Sequence, residues 1–182
     1  MTPLHRATLV MEPFATPLTP EALLAHPQFA ADLVRALRGA HTAGIIHCDV
    51  RFENVYVHAG GVIIADWGFA YRLAPDAQPR PAIGTVATAA EEVLIASLGD
   101  RLLTPKKQHD LQSCVRMAVL AHEDGRLLEL FQLAVQRHGY IVLDSFWRWQ
   151  LAYPPWARAE KLAIDCSYDE LATCLQTLLE GA

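Results

Sequence analysis

Two short β-rich runs, residues 54–58 and 62–65, are separated only by Ala59-Gly60-Gly61, and each run is bordered by a polar cluster. The glycines permit the positive φ angles that a tight hairpin needs, so the runs are expected to pair antiparallel. The first cluster is His47-Cys48-Asp49-Val50-Arg51-Phe52-Glu53-Asn54 and the second is Asp66-Trp67-Gly68. With Asn54 opening one strand and Asp66 closing the other, antiparallel pairing brings both to one edge, and Asp49 lies just outside it. A carboxamide and a carboxylate at such an edge can share a hard cation through oxygen. A second carboxylate nearby can accept a proton from an incoming hydroxyl.

The rest of the chain frames this hairpin with helices. Thr19-Pro20-Glu21 reads as a helix start, since the hydroxyl can cap and proline fits the first turn, and Pro27 stops that helix early. From Gln28, apolar residues at Phe29, Leu33, Leu37 and Ala40 recur at helical spacing up to Gly44, predicting a buried central helix. Residues 7–11 read as a strand, 73–81 as a proline-rich surface loop, and the chain beyond Thr85 as mostly helical. Candidate helices there are 108–122, 126–137 and 168–179, the last opened by Ser167 with Glu170 as a capping box. With 52% hydrophobic residues in 182, the expectation is one domain, α+β but mainly α-helical.

The order H-x-D-x-x-x-x-N, then D-x-G about a dozen residues on, resembles the catalytic and metal-binding loops of kinases. The resemblance implies roles. Asp49 would be the base that orients the acceptor hydroxyl, and Arg51 would stand where many kinases place a lysine facing the transferred phosphate. Asn54 and Asp66 would hold Mg2+. His47 would be structural, Gly68 would give the turn after the metal ligand, and Trp67 would fill a position usually held by phenylalanine. The stretch from Gly84-Thr85 to Ala90-Glu91-Glu92 is similar to the end of a protein-kinase activation segment, with Glu92 as its structural carboxylate. His109-Asp110-Leu111 resembles the start of that family's buried helix, whose aspartate braces the catalytic loop. Leu9 to Phe14 is similar to the last strand of the amino lobe and the hinge, with Met11 as gatekeeper and ATP's adenine meeting backbone groups of Glu12 and Phe14.

The implied architecture is the carboxy-terminal lobe of a protein kinase, residues 17–182, preceded by a remnant of the amino lobe at 7–16. The amino lobe itself is largely absent from this sequence: no G-x-G-x-x-G occurs, and no lysine precedes Lys106. Three readings follow. The chain is a phosphotransferase lobe for protein Ser or Thr hydroxyls, using ATP and Mg2+ once an amino lobe completes it. It is an inactive pseudokinase or binding module. Or it is a small-molecule phosphotransferase of the aminoglycoside or choline kinase type, which the Asp66-Trp67 pair also resembles. Cys48 replaces the arginine that in many protein kinases binds a phosphorylated activation loop, so activity is expected not to depend on that modification.

Charge and cysteine usage narrow the partners. A net charge of −5 with scattered positive residues favours neither nucleic acid nor an anionic membrane. No apolar run reaches membrane-spanning length and no signal-peptide pattern opens the chain, so an intracellular soluble protein, cytoplasmic or nuclear, is expected. Cys48, Cys114, Cys166 and Cys174 form no C-x-x-C pair and read as reduced thiols. The expected partners are a protein substrate, a protein covering the face where the amino lobe is missing, or a second copy of the chain. Phe146, Trp147, Trp149 and Trp156 are expected to pack helices, Asp165 to lie in a solvated turn, Asp169 in the first turn of a helix, and His122 and His138 on the surface.

Overall fold

The computed structural model describes residues 14–122 and 141–182. The expected strand at 7–11, the helix at 126–137, Met11, Glu12 and His138 lie outside them. Strand β1 (Thr16–Pro17) leads to α1 (Pro20–Ala25), where the Thr19 hydroxyl accepts from the Ala22 N–H at 3.2 Å and Pro20 sits in the first turn. Helix α2 (Gln28–Thr42) buries Phe29, Leu33, Leu37 and His41 on one face and leaves Arg35 and Arg38 in solvent. It ends where Gly44 takes a φ of +75°. This helix is amphipathic. The central helix is α4 (Lys107–His122), buried at every residue from His109 to Ala121.

Between α2 and α4 lie β2 (Ile45–Ile46), a 3-10 turn (Phe52–Asn54), β3 (Val55–His58), β4 (Gly61–Ile64), a second 3-10 turn (Trp67–Phe69) and β5 (Tyr71–Arg72). They are followed by β6 (Arg80–Pro81), α3 (Glu91–Leu98) and β7 (Leu102–Leu103). All pairs are antiparallel: β1-β3-β4 form one sheet, while β2 pairs with β5 and β6 with β7. The hairpin register matches His58 to Gly61, so the turn is Ala59-Gly60 and both residues have positive φ. That is the primed geometry that suits strand twist, and it places an alanine where a glycine was expected, with Gly61 inside the strand. Asn54 sits in the 3-10 turn just before the strand, not at its first position. The loop at 73–81 ends in β6, which pairs with a strand more than twenty residues on.

The helical stretch after Thr85 contains α3, then α5 (Ile141–Leu151), α6 (Pro154–Ile164) and α7 (Tyr168–Glu180). Ser167 stands at the start of α7 but makes no side-chain cap, so the expected capping box does not form. Trp147 and Trp156 are buried in the helical core, whereas Trp149 is 73% exposed and packs nothing together. His122 is half-buried with its ring edge-on to Trp156, not a free surface residue. Asp169 pairs with Arg38 at 2.9 Å, fastening the first turn of α7 to α2.

The core joins Leu23, Leu33 and Leu37 of the first helices to Leu111, Val115 and Met117 of α4 and to Leu171 and Leu175 of α7. Each fully buried Leu contributes roughly 2–3 kcal/mol by leaving water. Among the described residues, no helix is long and apolar enough to cross a membrane.

Candidate functional site

The loop between β2 and the first 3-10 turn is held from beneath by one carboxylate. Asp110, in the first turn of α4 and 1% exposed, accepts from the His47 N–H (2.7 Å) and the Cys48 N–H (2.8 Å). Its Oδ2 also accepts from His41 Nε2 at 2.9 Å. Because a carboxylate only accepts, the proton lies on His41 Nε2, and Nδ1 is left to accept from the Tyr168 hydroxyl at 2.8 Å. These bonds hold Cys48 at φ +69°, a backbone region that costs a non-glycine residue about 1–2 kcal/mol. The aspartate thus braces the loop, as the resemblance implies.

His47 does the same from above. Its Nδ1 accepts from the Asp49 N–H (3.2 Å), so Nε2 carries the proton and donates to the Ala65 carbonyl (2.9 Å). Ala65 in turn donates its N–H to the Asn54 carbonyl at 2.8 Å. One wholly buried imidazole therefore ties Asp49, two residues on in the loop, to the residue before Asp66. The edge of the Trp67 ring packs against it with centroids 4.7 Å apart, and the indole N–H donates to the Ile64 carbonyl.

Asp49 is 4% exposed and almost fully engaged. Its Oδ1 accepts from the Thr85 N–H (2.8 Å) and hydroxyl (2.7 Å), and Asn54 Nδ2 donates to its Oδ2 (3.0 Å) and to its backbone carbonyl (2.9 Å). Arg51 Nε lies 3.3 Å from Oδ2, close enough for an ion pair but not aligned as a hydrogen bond, so that N–H stays without a hydrogen-bond partner. Arg51 is one-third exposed, with its Nε buried beside Asp49.

Thr85 is the contact that spacing along the chain did not assign, since it lies 36 residues from Asp49. Its approach depends on Gly84, whose φ is +142° and where a Cβ would come within 2.8 Å of the Cys48 carbonyl oxygen. Three residues on, Thr88 donates to the Val50 carbonyl at 2.8 Å. Glu92 then closes the segment, taking both Lys106 Nζ contacts at 2.8 Å and His109 Nε2 at 3.1 Å. The hydrogen bond from Lys106 holds the Glu92 carboxyl below its usual pKa, while burial pushes the His109 imidazole below the usual histidine value.

Asp66 is placed differently. It is exposed, in a left-handed conformation (φ 56°), and its Oδ1 receives only a 3.4 Å contact from the Gly68 N–H. Its side chain does not bond Asn54, although the Asn54–Ala65 backbone link holds the two positions on one edge. Asn54 spends its amide N–H groups on Asp49, which turns its oxygen the other way. Two oxygen donors, one of them a lightly occupied carboxylate, suit Mg2+, which takes one or two carboxylate-type ligands and fills its sphere with water and phosphate oxygens. No cluster of three His, Cys, Asp or Glu fit for a metal occurs among the described residues, so the donors do not form a closed all-protein cage. Phe14 is 86% exposed, and its carbonyl accepts from His58 Nδ1 at 2.9 Å.

Residues 17–117, which contain every contact just described around Asp49 and Asp66, match the family model of the protein kinase domain. The chain belongs to that family. Over 67 residues it is 39% identical to mitogen-activated protein kinase kinase kinase 17 of Arabidopsis thaliana, covering 36% of this chain and 18% of that protein. Over 68 residues it is 35% identical to serine/threonine-protein kinase dkf-2 of Caenorhabditis briggsae, covering 35% of this chain and 6% of the relative. The match thus spans less than a fifth of either relative. The fold of this kinase domain is α+β and mainly helical, with small sheets, and no full amino lobe occurs among the described residues.

Proposed function

We propose that this kinase domain takes part in phosphoryl transfer from Mg-ATP to a Ser or Thr hydroxyl of a protein. The observation that carries the reading is the setting of Asp49: a buried carboxylate fixed on one oxygen by Thr85 and on the other by Asn54, with the charge of Arg51 beside it. Mg-ATP would supply the phosphoryl group and neutralise the charge that builds on its oxygens. Asp49 aligns the acceptor hydroxyl and takes its proton as the oxygen attacks the γ-phosphorus and ADP leaves. Arg51 offers positive charge beside Asp49, and Asn54 and Asp66 hold the metal.

A protein acceptor is favoured over a small molecule by the segment from Gly84 to Glu92, which is built against the loop, and by the names of the two relatives. Full activity would require the phosphate-cradling glycine loop and lysine, neither of which precedes Lys106 in this sequence, from a partner protein or another polypeptide segment. The exposure of Phe14, Trp67 and Phe69 supports such a partner and also favours a second reading, a binding module without transfer. The test is transfer of labelled phosphate to Ser/Thr protein substrates, alongside aminoglycoside and choline acceptors, by wild type and Asp49→Asn. A loss of about a hundredfold or more in the variant is expected. Transfer indifferent to Asp49 would overturn the mechanism, and Mg-ATP bound without transfer would favour the second reading.

A further inference from the structure

The backbone that carries Asp66 is gripped by a side chain fourteen residues further on. Arg80 Nη2 donates to the Phe69 carbonyl and Nη1 to the Ala70 carbonyl (3.4 Å), at the far end of the 3-10 turn that Asp66 opens. The guanidinium also lies over the Tyr71 ring, 5.1 Å from its centroid. That ring is buried, and its hydroxyl donates to the Gln78 carbonyl at 3.1 Å. Arg80 is itself fixed in β6, opposite Leu103 of β7, and Tyr71 in β5, opposite Ile46 at the entrance to the catalytic loop. The result is a closed circuit: catalytic loop, β2, β5, Tyr71, Arg80, and back to the turn behind Asp66. Every member is on this chain, and the circuit is complete without a phosphate group. Cys48 lies next to Arg80, and its thiol, pushed up to about 12 chiefly by burial, stays neutral and does not draw the guanidinium away as a competing anion.

We propose that Arg80 is a positioning residue, an intrachain latch that holds the Asp66 turn in place for metal binding with no need for phosphorylation of the segment between them. The proposal rests on the Mg-nucleotide reading above and adds to it the group that orders its exposed half. Only arginine fits. Its planar fork reaches two successive carbonyls while its face stacks on tyrosine, whereas a lysine ammonium can do one of these at a time.

Two readouts on the purified chain separate a latch from mere structural support: amide hydrogen exchange, and the Mg2+ concentration that gives half of the ADP-dependent thermal shift. In Arg80→Ala, amides of residues 68–72 should exchange about tenfold faster and the Mg2+ requirement should rise about tenfold, the loss expected for a carbonyl bond to a charged donor. Arg80→Lys should fall between, and Arg72→Ala, an exposed residue of β5 beside Tyr71, should match wild type. Unchanged exchange in Arg80→Ala overturns the latch. Faster exchange with an unchanged Mg2+ requirement overturns the positioning role. If wild type shows no Mg-dependent ADP shift, the nucleotide reading fails, and the exchange experiment alone decides the latch.

Discussion

The loop from His47 to Asn54 and the turn from Asp66 to Phe69 flank the same hairpin, yet they are built in opposite ways. In the loop, His47, Asp49 and Asn54 are all under 5% exposed, and nearly every polar atom has a partner within the chain. In the turn, Asp66, Trp67, Gly68 and Phe69 are exposed, and the acid makes one long contact. In the proposed mechanism, the group that must keep its geometry through a proton transfer is over-determined by the core, and the group that must exchange water for metal and phosphate is presented on a short tether. Burying a carboxylate is affordable only when hydrogen bonds repay it, which Thr85 and Asn54 do for Asp49. A metal ligand, by contrast, must keep its lone pairs free.

The difference can be broken most severely at Asp110. Replacing it by Ala leaves His41 Nε2 and the N–H groups of His47 and Cys48 buried without an acceptor, and should cost roughly 3–5 kcal/mol in urea unfolding. A cost under about 1 kcal/mol would show that the loop stands without its brace. Gly84→Ala comes next, at about 1–3 kcal/mol, since the new methyl meets the Cys48 carbonyl and the φ is forbidding. Its signature beyond stability is a Thr85 amide resonance displaced from its carboxylate-bonded position.

A smaller effect is expected with pH. The His109 pKa is lowered in the folded state, so the unfolded chain binds the proton first, and stability is lost as pH falls through the ordinary histidine range towards the folded value. Glu92, also lowered, acts in the same direction at more acid pH. Protonation puts a hydrogen on His109 Nδ1, which now accepts from the Lys106 N–H. Between about pH 7.5 and 5.5, wild type should lose a few degrees of Tm, about 2–4 °C more than His109→Asn, which keeps an acceptor but cannot titrate. Parallel curves would remove His109 from the account.

What could be read along the chain was whatever is local. The Thr19 cap, the stop at Gly44, the hairpin and the loop residues lie within a few positions of one another, so spacing alone places them. Contacts across the fold were not legible in this way. Thr85 meets Asp49 only because Gly84 lets two backbones touch, and nothing in either segment's spacing announces it. The burial of α4 was foreseen at its start only through the resemblance of His109-Asp110-Leu111 to the family's buried helix, since composition alone gives no sign of it: His109, Asp110, Gln112 and Arg116 are polar, and all are buried. Asp110 finds backbone donors, and Gln112 and Arg116 face Glu160 of α6. Helix α7 was placed at 168–179, close to its observed bounds, although Ser167 makes no side-chain cap, whereas α3, α5 and α6 were foreseen only as helical territory, and α3 and α6 begin without a side-chain cap that would have marked them.

The contrast between braced loop and presented turn is tested most directly at Asp66, by thermal denaturation of wild type and Asp66→Ala with and without Mg-ATP. Because the carboxylate supports nothing beneath it, the variant should unfold within about 0.5 kcal/mol of wild type in the absence of ligand and lose the Mg-ATP-dependent rise in Tm. An Asp66→Ala chain that is grossly destabilised, or one that keeps the full ligand-dependent rise, would contradict it.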